Sequence, residues 1–222
     1  MIEINGDFSN NENFLINMLN NYFYELTNDV VGNVINNGNF VRYEINIGNQ
    51  NRNEEFVLQF CVRDHEDVEM GCCNFVHISN ILVPYALRRK GIAKGIITIM
   101  SKVSNEILRM PFFITGIVND EWKENLISHG GIEDESGDIE INYNRWIKLN
   151  AKYGVAYLNE DGLGYSETEP YLCDCCSIEE LKIMLKAAKA ASCKKIVPFQ
   201  YNEYNEVCSW DYVKQNKIDV EI

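Results

Sequence analysis

The stretch Leu82 to Gly95, LVPYALRRKGIAKG, limits what this chain can fold into more than any other. Val83-Pro84 ends a β-rich run, because proline has no N–H to give to a ladder. Arg88, Arg89 and Lys90 follow, then Gly91, which frees the backbone to turn. Beyond it, Ile92, Ile96, Met100, Val103 and Ile107 fall at the spacing of an amphipathic helix. A strand, a glycine turn and a helix with one apolar face call for a sheet that this face can cover, so the fold class is α/β. At such a turn several peptide N–H groups and the positive end of the helix dipole point at one place, which suits a phosphate. Arg88, Arg89, Lys90 and Lys94 add long-range attraction. A glycine turn with solvated lysines is the plainer reading of the same residues.

The positive charge here runs against the rest of the chain, which carries 33 Asp and Glu to 20 Lys and Arg, a formal net charge of -13. That balance argues against general affinity for nucleic acid or an anionic membrane, so neither is expected as a partner. A cationic substrate suits it better. With 222 residues, 46% of them apolar, the chain can bury one large domain and a smaller appendage. The polar, acidic opening MIEINGDFSNNEN and the lack of a long apolar run point to a cytoplasmic protein. Eight cysteines are too sparse for a disulfide scaffold and read as reduced thiols.

Periodicity places the other elements. MIEIN alternates as a strand would, and residues 10–28 carry Phe14, Leu15, Met18, Leu19, Tyr22, Phe23 and Leu26 at helical spacing. NFVRYEINIG and EEFVLQFCVRD read as two strands around a turn at residues 48–53, an acidic loop spans Asp64 to Glu69, and CCNFVHISNILVP is a further long strand. After the helix that opens at Ile92, FFITGIV is a short buried strand, residues 119–129 form a helix ended by Gly130-Gly131, and IEINYNRWIKL is another strand. The order is β, α, β, β, β, α, β, α, β. Near residues 148–152 the pattern restarts. GVAYLNEDGLGYSE reads as a hairpin turning at Asp161-Gly162, Ser177 caps a helix running to about Ala191, and KKIVPFQY is a strand. Two domains follow: 1–149, and a small α+β domain at 150–222.

Motif and element order together resemble the GNAT-type acetyltransferases. The acyl-CoA loop of that family reads Arg or Gln, two residues, Gly, one residue, then Gly or Ala. Arg88-Arg89-Lys90-Gly91-Ile92-Ala93 is similar to it and sits, as in the family, after the fourth strand and at the start of the next helix. A second family segment, an Asn after the fifth strand and a helix that ends in Gly, is similar to residues 119–130. The resemblance covers residues 1–149. It implies a GNAT-like acyl-CoA N-acyltransferase fold, acetyl-CoA as co-substrate without a metal, and acetyl transfer to a primary amine by direct attack. It further implies that backbone N–H groups of Arg89, Lys90, Gly91, Ile92, Ala93 and Lys94 hold the CoA pyrophosphate, with Arg88 beside them. The pantetheine arm would run between strands ending at Val83 and Val118, bonding main chain at Leu82 and Val83, and Asn119 would touch the same arm.

Such a transfer needs a neutral amine, a polarised thioester carbonyl and a protonated leaving thiolate. An alkylammonium has a pKa of ~10.4, so a base or a water chain must take its proton. The family's base position falls on His77, whose ordinary pKa of ~6.5 suits that work at neutral pH. His77, Ser79, Ile81 and Val83 are expected on one strand face; a structural histidine is the competing reading. Glu69, Asp64 and Glu44 acting through water are reserves. Where the family often has a Tyr to protonate the CoA sulfur this chain has Leu126, and where Phe commonly follows the closing Gly it has Gly131. The acid then falls to Tyr85, to Tyr143 or to water. An acyl-cysteine route through Cys72-Cys73 is the least favoured, since adjacent cysteines on a strand face opposite ways.

Acidic Glu44, Asp64, Glu66, Asp67 and Glu69 favour a cationic small molecule or a lysine-bearing acceptor. Cys173, Cys175 and Cys176 with Cys193 and Cys208 could gather zinc, although no second close pair exists, and reduced thiols beside a helix cap are the plainer reading. The tail looks like the truncated second acetyltransferase-like half of some family members, or is an unrelated appendage. It has no counterpart of the Arg88 turn, so it should bind no CoA, and it could extend the sheet, cover the substrate side or form a homodimer contact. Two other functions stay open: a non-catalytic acyl-CoA-binding sensor that kept the turn and lost the acid, and a structural or toxin-neutralising protein whose turn binds another anion.

Overall fold

Alternating apolar residues build the sheet that the basic turn requires. The computed structural model describes residues 1–26, 30–47, 55–63, 74–203 and 208–221, and the chain divides into two compact units, Met1–Trp146 and Ile147–Ile222. In the first, β1 (Ile2–Asn5), β2 (Val30–Asn36), β3 (Val41–Ile47), β4 (Glu55–Arg63), β5 (Phe75–Leu82), β6 (Phe112–Ile114), β7 (Ile132–Glu133) and β8 (Ile139–Glu140) form a mixed sheet in the order β1-β2-β3-β4-β5-β6-β8-β7. β2 to β5 are an antiparallel meander. β1 and β2 run parallel through α1 (Asn10–Leu26), and β5 and β6 run parallel through α2 (Ile92–Lys102). α3 (Asp120–Ser128) leads from β6 to the β7–β8 pair. The α/β class with a mixed sheet is therefore present.

Cross-strand register sorts side chains onto two faces. Tyr43 lies opposite Leu58 and Leu58 opposite Ile81; Val41 lies opposite Phe60, Phe60 opposite Ile78 and Ile78 opposite Ile114. These form the face against α1, where the Phe23 ring meets Tyr43 and Phe56 edge-on or tilted at 5.6 and 5.1 Å, and the Tyr43 hydroxyl donates to the Ile16 carbonyl. α2 crosses α1 closely: a Cβ at Gly95 would lie 2.4 Å from the Tyr22 hydroxyl oxygen, and that hydroxyl donates to the Ile92 carbonyl at 3.3 Å. Behind it, the Trp146 indole N–H donates to the Thr98 hydroxyl at 2.8 Å, and the hydroxyl donates to the Lys94 carbonyl at 2.8 Å.

Several expectations are corrected. β2 was not foreseen, because its core-facing positions Val30, Gly32, Val34 and Asn36 include a glycine and an asparagine that mask the alternation. The strand leading into the basic turn is therefore the fifth, not the fourth. IEINYNRWIKL is a two-residue strand followed by α4 (Tyr143–Asn150), started by the Asn142 side chain accepting from the Arg145 N–H. Tyr143, Trp146, Ile147 and Asn150 form its buried stripe, which is helical spacing and not strand alternation. Ile107 does not extend the buried stripe of α2: residues Val103–Leu108 widen into a π-helical turn, which rotates Ile107 outward to 52% exposure. Residues 48–54, where the first hairpin turn was placed, lie outside the described residues.

The second unit is a three-stranded antiparallel sheet, β9 (Tyr153–Leu158) between β10 (Tyr171–Cys175) and β11 (Lys194–Gln200), with α5 (Ile178–Ala190) and α6 (Trp210–Gln215). Val155 packs with Cys175, Leu181 and Leu185 on one face, and Ala156 with Phe199, Cys208, Trp210 and Val213 on the other. Ser177 caps α5 as expected: its hydroxyl accepts from the Glu180 N–H, and the Glu180 carboxylate accepts in turn from the Cys176 N–H. The chain does reverse at Asn159–Leu163, yet the second hairpin strand begins only at Tyr171. α6 was not foreseen. β10 and β11, the strands flanking α5, are separated by β9, whereas β5 and β6 flanking α2 are neighbours, so the tail does not repeat the pairing at the centre of the first unit.

Replacing Gly95 by Ala should lower stability by about 1–3 kcal/mol, because the methyl group has to displace the Tyr22 ring. Urea denaturation of the two proteins measures it, and an unchanged midpoint would contradict close packing of α1 on α2.

Candidate functional site

The sheet opens between β5 and β6, and the sequence around the opening explains why. β5 and β6 pair from Val76↔Phe112 to Ile78↔Ile114, and the Thr115 N–H still donates to the Ile78 carbonyl at 2.9 Å. Gly116 then adopts φ 65°, a left-handed conformation that turns the chain away. β5 continues to Leu82 with β4 as its partner, through Asn80↔Gln59, Ile81↔Leu58 and Leu82↔Val57. A gap between residues 79–83 and 115–119 results. Its apolar lips include Leu82 and Val118, 48% and 97% exposed.

Pro84 ends β5, and a single 3₁₀ turn, Tyr85–Leu87, carries the chain to the basic residues. Arg88 folds back: its Nε donates to the Val83 carbonyl at 3.1 Å, and its guanidinium lies 5.8 Å from the centre of the Tyr85 ring. Arg89 is left-handed at φ 62° and Gly91 at φ 80°. For Arg89 that conformation costs on the order of 1 kcal/mol. Left-handed residues in such a turn aim successive N–H groups into a concavity that suits an anion. Gly91 caps α2 without a side-chain bond to the first turn, and a Cβ placed there would meet nothing within 4 Å. Arg89, Lys90 and Gly91 are exposed while Ile92 is buried, so the helix end is fixed from below and open above.

His77 lies one residue before the pairing with β6 ends. It faces Cys61 on one side and Phe113 on the other, with Phe75 beside it at 5.4 Å and the Arg63 guanidinium 5.4 Å from the Phe75 ring centre. The expectation that His77, Ser79, Ile81 and Val83 share a face does not hold. Gln59↔Asn80 is followed by Phe60↔Ile78, which leaves Ser79 as a bulge and shifts the alternation by one residue. His77 therefore shares its face with Asn80 and Leu82, and Ile81 turns to the core with Ile78. Burial holds the imidazole pKa below its ordinary 6.5; the Arg63 charge pushes the same way and the Asp138 charge opposes it. A neutral ring at physiological pH can accept a proton.

Register also places Glu44. It lies opposite Val57, and Val57 opposite Leu82, so it occupies the row and face of Leu82 two strands away, ~10 Å at ordinary strand spacing. Its carboxylate is paired with Arg42 Nε at 2.6 Å. Tyr85 stands at the turn, 77% exposed. Tyr143 is not brought there: its ring lies under the Lys102 ammonium and its N–H donates to the Asn105 side chain. That is the far end of α2, ~16 Å along the axis from Gly91. Leu126 is a core residue of α3, and Gly131 fits against Ile139. The Asn119 side-chain oxygen caps α3 by accepting from the Trp122 N–H at 2.8 Å. Asp64, Glu66, Asp67, Glu69, Cys72 and Cys73 lie outside the described residues.

Among the described residues no group of three or more His, Cys, Asp or Glu is arranged to hold a metal. Cys175 and Cys208 belong to clusters on opposite faces of the second unit's sheet, so the cysteine set does not converge on one ion. Among the described residues no helix is long and apolar enough to cross a membrane. Asp138, next to the gap, was not foreseen; its one local signal was the Ser136-Gly137 turn between short alternating segments.

No protein-family model and no curated protein matches this chain. Among solved structures, similarity is found to a mutant AtaT toxin bound to the C-terminus of the antitoxin AtaR, with 10% identity, 52% of this chain and 94% of that one, and a TM-score of 0.37. The KacTA–DNA complex matches with 13% identity over 51% of this chain and 74% of that one, TM-score 0.37. AtaTR bound with AcCoA matches with 12% identity over 47% and 68%, TM-score 0.36.

Since the folded protein holds His77 below its unfolded pKa, the unfolded chain binds more protons between the two values, and this contribution to stability is lost as pH falls below about 6.5. Urea midpoints measured between about pH 7.5 and 5.5 should fall less steeply for His77→Gln than for wild type. Equal slopes would contradict the placement of this imidazole.

Proposed function

We propose that the first unit is a GNAT-type enzyme that transfers an acetyl group from acetyl-CoA to a primary amine. The observation that carries this reading is one juxtaposition. The α2 N-terminus, with left-handed Arg89 and Gly91 and no side-chain cap, directly follows a strand whose pairing with its parallel neighbour has just broken. An anion-binding turn at the end of an apolar slot fits a pyrophosphate that carries a long amide-bearing arm.

In this reading the N–H groups of residues 89–94 bind the pyrophosphate, with the cations of the turn adding attraction. The arm enters between Leu82-Val83 and Ile117-Val118. Arg88 holds the Val83 carbonyl, and the main-chain groups of Leu82 and Val83 on the edge away from β4 are the contacts for amides of the arm. Asn119, whose side-chain oxygen caps α3, touches the same arm through its amide NH2. The amine nitrogen attacks the thioester carbon, the C–S bond breaks, and the amine proton passes to His77 or, through water, to Glu44. The thiolate takes a proton from Tyr85 or water. Glu44 in the row of Leu82 favours a cationic acceptor, although its pairing with Arg42 reduces the charge it presents.

A second reading has its own support: Leu126 is packed in the core where a tyrosine acid would stand, and Tyr143 is at the wrong end of α2. In that reading the turn binds acyl-CoA without turnover. Calorimetry with acetyl-CoA, followed by an amine panel, separates the two. Gly91→Asp, which puts a side chain and a negative charge at φ 80°, should weaken binding at least ~10-fold. His77→Ala should lower kcat by roughly 100-fold with CoA binding unchanged. CoA binding without turnover of any amine supports the sensor, and no CoA binding by wild type overturns both readings.

A further inference from the structure

One carboxylate outside the slot is built into its wall. The Asp138 Oδ1 accepts from the Gly116 N–H at 3.2 Å, at the residue whose left-handed backbone opens the sheet. Asp138 is itself held in a tight turn between β7 and β8. Its N–H donates to the Asp134 carboxylate at 3.0 Å, its carbonyl accepts from the Asp134 N–H at 2.9 Å, and the Ser136 N–H donates to the same Asp134 oxygen at 2.9 Å. β7 is tied to α3 in turn, through Lys123 and Glu133 at 2.7 Å. The loop 115–119 therefore hangs from three points: Thr115 on Ile78, Gly116 on Asp138, and Asn119 on the first turn of α3.

We propose that Asp138 is a positioning residue of the acyl-CoA slot, fixing through Gly116 the wall that faces Leu82 and setting its charge toward His77. The proposal rests on the acyl-CoA reading above. A wall fixed before the arm arrives spares the ordering cost on binding. The same carboxylate also acts on the base. The groups facing His77 are Cys61 and Arg63 from β4, Phe113 from β6, Glu140 beside it on β8, and Asp138. Of these, Arg63 disfavours the imidazolium and Asp138 favours it, so removing Asp138 leaves a weaker base.

Two substitutions separate the tether from the charge. Asp138→Asn keeps an oxygen for the Gly116 N–H and loses the charge; Asp138→Ala loses both. CoA affinity is measured by calorimetry, and the His77 imidazole is titrated by NMR, a readout that a merely structural role would not move. Asp138→Ala should weaken CoA binding by roughly 3- to 10-fold, while Asp138→Asn stays within about twofold of wild type. Both should move the His77 midpoint to lower pH. Wild-type affinity in Asp138→Ala, or an unmoved His77 midpoint in Asp138→Asn, would overturn the proposal. Failure of wild type itself to bind CoA would instead sink the acyl-CoA reading and this proposal with it.

Discussion

The break in hydrogen bonding between β5 and β6 is the constraint on which the rest of the site depends. β6 is three residues long and pairs with β5 over all of them. Here the pairing stops at Ile78↔Ile114, while β5 goes on for four more residues to Leu82. β4 pairs one edge of that stretch; the N–H and C=O groups on the edge turned toward the gap need partners from elsewhere, and an extended amide chain is a partner of the right spacing. Gly116 makes the break by turning one strand away, and the bulge at Ser79 re-aims the other.

Charge is distributed to match. A chain of net charge -13 would repel a polyanionic ligand at most of its surface. Arg88, Arg89, Lys90 and Lys94 reverse the sign locally, where the dipole of α2 already points outward. On the far side of the opening the signs alternate more finely: Arg63 and Asp138 act in opposite directions on His77, and Arg42 neutralises much of Glu44. The ring that results is half-buried and neutral, the state in which an imidazole can accept a proton.

What was legible in the sequence was local. Pro84, Gly91 and the apolar run from Ile92 announce a strand end, a turn and a helix within a dozen residues, and Ser177 announces a helix start the same way. What was not legible depends on partners distant in sequence. The face that His77 occupies is set by a bulge, which exists only relative to β4. Tyr143 is close in sequence to the closing hairpin, yet packing of α4 carries it to the C-terminal end of α2. Asp138 matters through one bond to Gly116, 22 residues before it in the chain, and nothing in either residue's neighbours advertises that bond. β2 was hidden by composition, since a strand that spends core positions on glycine and asparagine loses the pattern by which strands are recognised.

The central claim is that backbone N–H groups of this turn and slot, rather than the cationic side chains alone, hold the ligand. Amide-resolved NMR of the uniformly labelled protein during a CoA titration tests it most directly. The account predicts that amides of residues 89–94 and of Leu82 and Val83 shift together and saturate at one concentration. Shifts confined to lysine and arginine side chains, or clustered in residues 147–222, would contradict it.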